Sequence, residues 1–123
     1  MRALIVDDSR AMRTMLGRMM TEFGFEILQA GHGKEALAVL EANGRPDVML
    51  LDWNMPEMNG FEVLVTVRGD ARWSDLPIIM VTTETEMAQV AKAIEHGVNE
   101  YVMKPFTKDV LLSKLELLGL VTA

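Results

Sequence analysis

Three aspartates in this chain stand at the ends of apolar runs: Asp7 and Asp8 follow ALIV, and Asp52 follows VMLL. Two further reactive groups end similar runs, Thr82 after PIIMV and Lys104 after EYVM. If those runs are strands of an open α/β sheet, ligands bind outside their carboxyl ends, so three carboxylates, a hydroxyl and an ammonium share one rim. Carboxylates that close together repel one another and become tolerable when a cation neutralises them. The chain has no cysteine and only two histidines, His32 and His96, so the donors are oxygens and the expected ion is hard and divalent. Few carboxylates with several retained waters suit Mg2+, with Mn2+ possible, better than the many-ligand cage of Ca2+. An ammonium facing carboxylates and a metal makes sense if a further anion, such as a phosphoryl group, is bound between them, with the Thr82 hydroxyl as a second donor.

Each residue also has a plainer use. Asp7 and Asp8 precede a predicted helix and suit capping of its free N–H groups. Lys104, before Pro105, can be a solvated lysine at a turn, and Thr82 a β-favouring residue at a strand end. Thr83 with Glu86 reads as a capping box. Capping does not account for Asp52 and Lys104 at other strand ends.

The elements that must position these groups follow from periodicity. Strands are predicted over residues 3–7, 25–29, 47–52, 77–82 and 100–104. Between and after them lie amphipathic helices. The first carries Met12, Met15, Leu16, Met19 and Phe23 inward, the second Ala36, Leu37 and Leu40, closed by Asn43-Gly44. The third, from Asn59 to about Arg68, turns Phe61, Leu64 and Val65 inward; the fourth, ended by Gly97, turns Met87, Val90, Ala91 and Ile94; the last runs from about Thr107 to Leu118. The pattern is strand-helix five times. Strands apolar on both faces in such an alternation form a parallel sheet covered by helices on both sides, a (βα)5 three-layer sandwich joined by right-handed crossovers.

The bulk numbers agree with one domain over residues 1–123 and no output module. The chain has 123 residues, half of them apolar, which suits one core. A formal charge of -6 argues against nucleic acid and against a polybasic membrane anchor, both of which need a positive footprint. No stretch approaches the roughly 20 apolar residues of a membrane span, and MRALIVDDSR has acids where a secretory signal continues its apolar core. A cytoplasmic protein is expected. The 11 methionines read mainly as flexible core filling.

VDDS (6–9), LLDWNMPEMNG (50–60), IIMVT (78–82) and YVMKPF (101–106) together resemble the receiver domain of two-component response regulators, and most closely the CheY-like single-domain chemotaxis type. The resemblance covers the whole chain. It implies the flavodoxin-like fold with parallel strand order 2-1-3-4-5, for which CheY is a standard example. It implies that Asp52 accepts a phosphoryl group from a phosphohistidine, and that Asp7, Asp8, Asp52 and the backbone carbonyl of Asn54 hold Mg2+. Lys104 and Thr82 then contact phosphoryl oxygens, and a cis peptide precedes Pro105. Thr82 and Tyr101 form the switch, read on a face of helix 4, strand 5 and helix 5 with Glu95, Tyr101 and Lys114 among its contacts. Without the family, Tyr101 reads as an edge-strand aromatic half covered by helix 4. Implied partners are a sensor histidine kinase or phosphotransfer protein and a downstream protein, a flagellar motor or another kinase. The chain itself is expected to be a monomer and no enzyme, but a switch that assists its own phosphorylation and dephosphorylation. Thr83 stands where the family usually has a smaller residue and is expected to narrow access to Asp52. Asn54 and Glu84 flank the water approach, which points to fast self-dephosphorylation.

Two other classes compete. A haloacid-dehalogenase-like phosphatase needs a second acid two residues after its nucleophile, where this chain has Asn54, and it lacks the length for a cap domain. A flavodoxin-like cofactor carrier needs a Ser/Thr/Gly phosphate loop where this chain has DDSRAMR. A third alternative is a receiver-like binding module that works without phosphorylation.

Overall fold

The computed structural model describes residues 1–83 and 88–121. Five strands and five helices alternate: β1 (Arg2–Val6), α1 (Arg10–Glu22), β2 (Glu26–Ala30), α2 (Gly33–Asn43), β3 (Val48–Asp52), α3 (Gly60–Arg68), β4 (Ile78–Thr82), α4 (Val90–Glu95), β5 (Glu100–Met103) and α5 (Lys108–Leu117). The strands form one parallel sheet in the order β2-β1-β3-β4-β5, as the resemblance implies. Each predicted strand lies within a residue of the observed one at either end. Lys104 falls just beyond β5 instead of ending it. Among the described residues no helix is long and apolar enough to cross a membrane.

Strand alternation builds two cores. Leu4, Val6, Met49, Leu51, Ile78 and Met80 point to one face, where Ala36 and Leu40 of α2, Val63, Leu64 and Val67 of α3 and Ala93 of α4 cover them. Ala3, Ile5, Val48, Leu50, Ile79, Val81 and Val102 point to the other, under Leu16 and Met20 of α1 and Leu111 and Leu115 of α5. β3 and β4 are buried throughout, which explains their unbroken apolar runs, whereas β2 and β5 at the edges carry the exposed Glu26 and Gln29 and the half-buried Glu100.

Side chains set most helix starts. Ser9 Oγ accepts from the Met12 N–H, Thr107 Oγ1 from Val110, and Asn59 with Glu62 forms a capping box. α2 is capped by His32, whose Nδ1 accepts from the Glu35 N–H at 3.1 Å, while Gly44 ends the helix at φ 78°.

Four expected inward residues face out. Met15, Val65, Ala91 and Ile94 are exposed. α1 buries Leu16, Gly17 and Met20, α3 buries Gly60, Val63, Leu64 and Val67, and α4 buries only Val90 and Ala93. FEVLVTV offers more than one set of apolar residues at three- and four-residue spacing, and contact with the sheet selects one. Met87, Glu84 and Glu86 lie outside the described residues, so the Thr83–Glu86 capping box does too.

The loop from β3 to α3 makes a tight turn in which the Met58 N–H donates to Pro56 O at 2.7 Å across Glu57, whose φ is 64°. That conformation crowds any Cβ, and the Glu57 side chain is exposed. Glu57→Gly is therefore expected to raise stability by about 0.5–1 kcal/mol, after the larger entropy of an unfolded glycine is set against the relief. A higher urea midpoint at unchanged m-value is the check; a lower midpoint refutes it.

Candidate functional site

Strand register places the acids at one level. Val6 pairs with Leu51, so Asp7 stands beside Asp52, and Asp52 in turn faces Val81 of β4. Strand order reverses at β1 and β3, where β1 leads to β2 on one side and β3 on the other, and a crevice opens at such a point. Asp52 continues the alternation of Val48 and Leu50 on the α1/α5 side of the sheet.

Asp7 and Asp52 are almost completely buried, at 1% and 3% exposure, whereas Asp8 is exposed. Asp7 is oriented on several sides: its N–H donates to Ala30 O at 3.1 Å, and its Oδ1 accepts from the Ser9 N–H at 2.9 Å. Lys104 Nζ reaches over the rim and donates to Asp52 Oδ1 at 3.0 Å and to Asp7 Oδ2 at 3.4 Å. The peptide between Lys104 and Pro105 is cis, as expected. With Ser9, Asn54 and Thr83, these residues line an open cleft of about 320 Å³. A larger hollow of about 560 Å³ lies near Met1, at the opposite end of β1, and is lined by Phe23, Leu112, Gly119, Leu120 and Val121, which supply no acid or base.

Electrostatics set the charge of the cleft. Burial, then the charges of Asp7 and Asp8, push the Asp52 carboxyl up from 3.8 to about 6, against the opposing hydrogen bond and charge of Lys104. Burial pulls Lys104 downward, but its contacts with Asp52 and Asp7 outweigh this and raise it. Lys104 therefore stays charged at neutral pH, and one ammonium does not neutralise three carboxylates.

One oxygen from each of Asp7, Asp8 and Asp52 lies within 4.8 Å of the others. Such an all-oxygen set, two acids buried and one at the surface, fits a hard divalent cation that keeps some of its water.

Asp7, Asp8, Asp52 and Lys104 thus converge as predicted, and Asn54 and Thr83 stand at the cleft wall. Thr82 differs. It is fully buried, does not line the cleft, and its hydroxyl donates to Thr83 O at 3.2 Å. Tyr101 is half-buried against the α2/α3/α4 core, with Lys114 Nζ 5.1 Å from its ring centre. It borders a separate hollow with Met103, Phe106, Val110 and Lys114. Sequence reasoning missed Ser9 as a lining residue and Gly60 as a spacer. A Cβ on Gly60 would lie 2.3 Å from Asp52 O, and the Gly60 N–H donates to Trp53 O at 2.8 Å. A glycine closing the loop after a reactive strand end was the available signal.

The family model for the response regulator receiver domain matches residues 3–116. The chemotaxis protein CheY1 of Helicobacter pylori is 48% identical over 117 residues, 94% of each chain. CheY of Pseudomonas aeruginosa is 43% identical over the same share of each. Among solved structures, the chemotaxis response regulator CheY4 of Vibrio cholerae superposes with a TM-score of 0.85 at 36% identity, covering 94% of this chain and 96% of that one. A putative response regulator from Chloroflexus aurantiacus gives 0.88 at 30% identity, with 94% of both chains covered. Sheet order, acidic cleft, family match and relatives agree: the chain belongs to the response regulator receiver domains of two-component signalling, and within them to the CheY-like chemotaxis type.

Proposed function

We propose that this protein is a phosphorelay switch in which Asp52 is the phosphoacceptor. The observation that carries this reading is Lys104 Nζ held between Asp52 Oδ1 and Asp7 Oδ2 at the mouth of an acidic cleft. A carboxylate oxygen of Asp52 attacks the phosphorus of a phosphohistidine on a sensor kinase or phosphotransfer protein; the P–N bond breaks, and the imidazole leaves with the electron pair. Asp7, Asp8, Asp52 and the Asn54 carbonyl would hold Mg2+, which offsets the phosphoryl charge. Lys104 is placed to transfer its hydrogen bond from Asp52 to a phosphoryl oxygen. Thr82, one residue beyond the Asp52 partner in β4, donates to another after its hydroxyl turns from Thr83 O.

That turn vacates space for Tyr101 to move inward, and the face of α4, β5 and α5, with Glu95 and Lys114, changes for a target protein. The similarity to chemotaxis proteins supports a target in chemotaxis, a flagellar motor or a kinase, and a cytoplasmic location. The protein is a phosphoacceptor, not a turnover enzyme, and Asn54 and Thr83 at the cleft wall govern water access to the acyl phosphate.

Incubation with Mg2+ and a small acyl phosphate tests the assignment. Intact mass is expected to rise by one phosphoryl group in the native chain, to be unchanged for Asp52→Asn, and to be unchanged when Mg2+ is chelated. Equal incorporation in the variant would place the acceptor elsewhere.

A further inference from the structure

Arg13, in the first turns of α1, lies outside the cleft and has no part in the chemistry above. It is half-buried, and its Nη1 donates to the backbone carbonyl of Asp7 at 2.7 Å. Its Nε donates to Gln29 Oε1 at 3.3 Å on β2. The guanidinium also lies against Gly31, where an added Cβ would come within 3.3 Å of Nη1. One side chain thus ties α1, β2 and the β2–α2 loop to a single carbonyl.

That carbonyl belongs to the peptide joining Asp7 to Asp8. A peptide unit is planar, so fixing its oxygen fixes the direction in which the next residue departs. Asp7 has independent anchors in Ala30 O and the Ser9 N–H. The exposed Asp8 has none of comparable burial, and its place in the acidic set depends on that peptide plane.

We propose that Arg13 is a positioning residue for the metal site, acting through the Asp7 carbonyl to aim the Asp8 carboxylate at the cation. This rests on the reading that Asp7, Asp8 and Asp52 hold Mg2+. The proposal has a sign that charge alone does not share. As a cation near an acidic cluster, Arg13 repels a dication, so a purely Coulombic role predicts tighter Mg2+ binding when its charge is removed. A positioning role predicts weaker binding, because hydrogen-bonding partners behind metal ligands typically change affinity by about 10–100-fold.

The test is calorimetric titration of MgCl2 into the full chain and its Arg13→Met, Arg13→Lys and Gln29→Ala variants, with metal-free unfolding midpoints measured alongside. Arg13→Met is expected to raise Kd about tenfold, the lower end of that range. Arg13→Lys should fall between it and the native chain, because it keeps the charge but loses the fork. Gln29→Ala, which removes only the outer anchor, should give a smaller rise and keeps the test available if Arg13→Met does not fold. An unchanged or lower Kd in Arg13→Met, or, should that variant not fold, an unchanged Kd in both other variants, overturns the proposal. So does a lower unfolding midpoint at constant Kd, the mark of a role in folding alone. Asp8→Asn separates the premise from the inference: if it binds Mg2+ as the native chain does, the metal-site reading fails first.

Discussion

Asp52→Asn is expected to make the metal-free protein more stable at pH 7.5, although it removes the group on which the proposed function depends. The unfolded carboxyl ionises near its ordinary value of 3.8, the folded one near 6. Below both values Asp52 is protonated in both states and contributes no pH dependence. Between them the unfolded chain releases its proton while the folded chain retains it, so stability falls as pH rises through the window. Above about 6 the penalty is complete, roughly 3 kcal/mol at most for a difference of this size. The asparagine does not titrate, but it leaves Lys104 with a weaker partner, so the gain should be about 1–2 kcal/mol. Urea unfolding at pH 4, 5, 6 and 7.5 with chelator gives the check. The variant's advantage should grow between pH 4 and 6 and then level off. A constant difference across the series would mean that Asp52 is ionised in the folded state well below 6. Added Mg2+ should raise native stability and leave the variant less affected, because a dication binds the ionised native cluster more strongly.

Gly60→Ala should act in the opposite direction on both fold and chemistry. The nearest atoms to an added Cβ are backbone: Asp52 O at 2.3 Å, Trp53 Cα at 3.0 Å and Asp52 C at 3.1 Å. Backbone in the middle strand of a five-stranded sheet cannot swing aside as a lysine tip can, so either β3 or the first turn of α3 must shift. The expected loss is about 3 kcal/mol or more, the upper range for overpacking a core. It should be accompanied by slower phosphoryl incorporation at Asp52 in the fraction that remains folded. By contrast, Gly17 has nothing nearer than 3.9 Å to an added Cβ and sits inside α1, so Gly17→Ala serves as the tolerated control. If both variants unfold at similar denaturant concentrations, the close approach at Gly60 does not constrain the loop.

The positions of the acids were readable because β1 and β3 carry nearly unbroken apolar runs, and the run must end where the strand leaves the sheet. A charge at that point has few other places to go. Helix orientation was less readable. In α3, Phe61, Val63, Leu64, Val65 and Val67 satisfy several helical stripes at once, and Val65 faces solvent only because the sheet engages Val63, Leu64 and Val67. In α4, Ile94 is 55% exposed beside buried Ala93, an arrangement that hydrophobicity alone ranks in reverse.

By itself, then, the sequence determined the element order, the parallel α/β class and the five residues at the strand ends, because these depend on local periodicity and on where an apolar run stops. Tertiary structure decided the rest. That Asp7, Asp8 and Asp52 come within one ion's reach depends on strand register, and that Lys104 spans two of them depends on the turn after β5. The burial of the Thr82 hydroxyl toward Thr83, the tight seat of Gly60 under Asp52 and the Arg13 bond to the Asp7 carbonyl are likewise contacts between distant segments or choices of rotamer. Periodicity carries no information about these, since only packing sets the distances between chains of atoms that meet in the folded state.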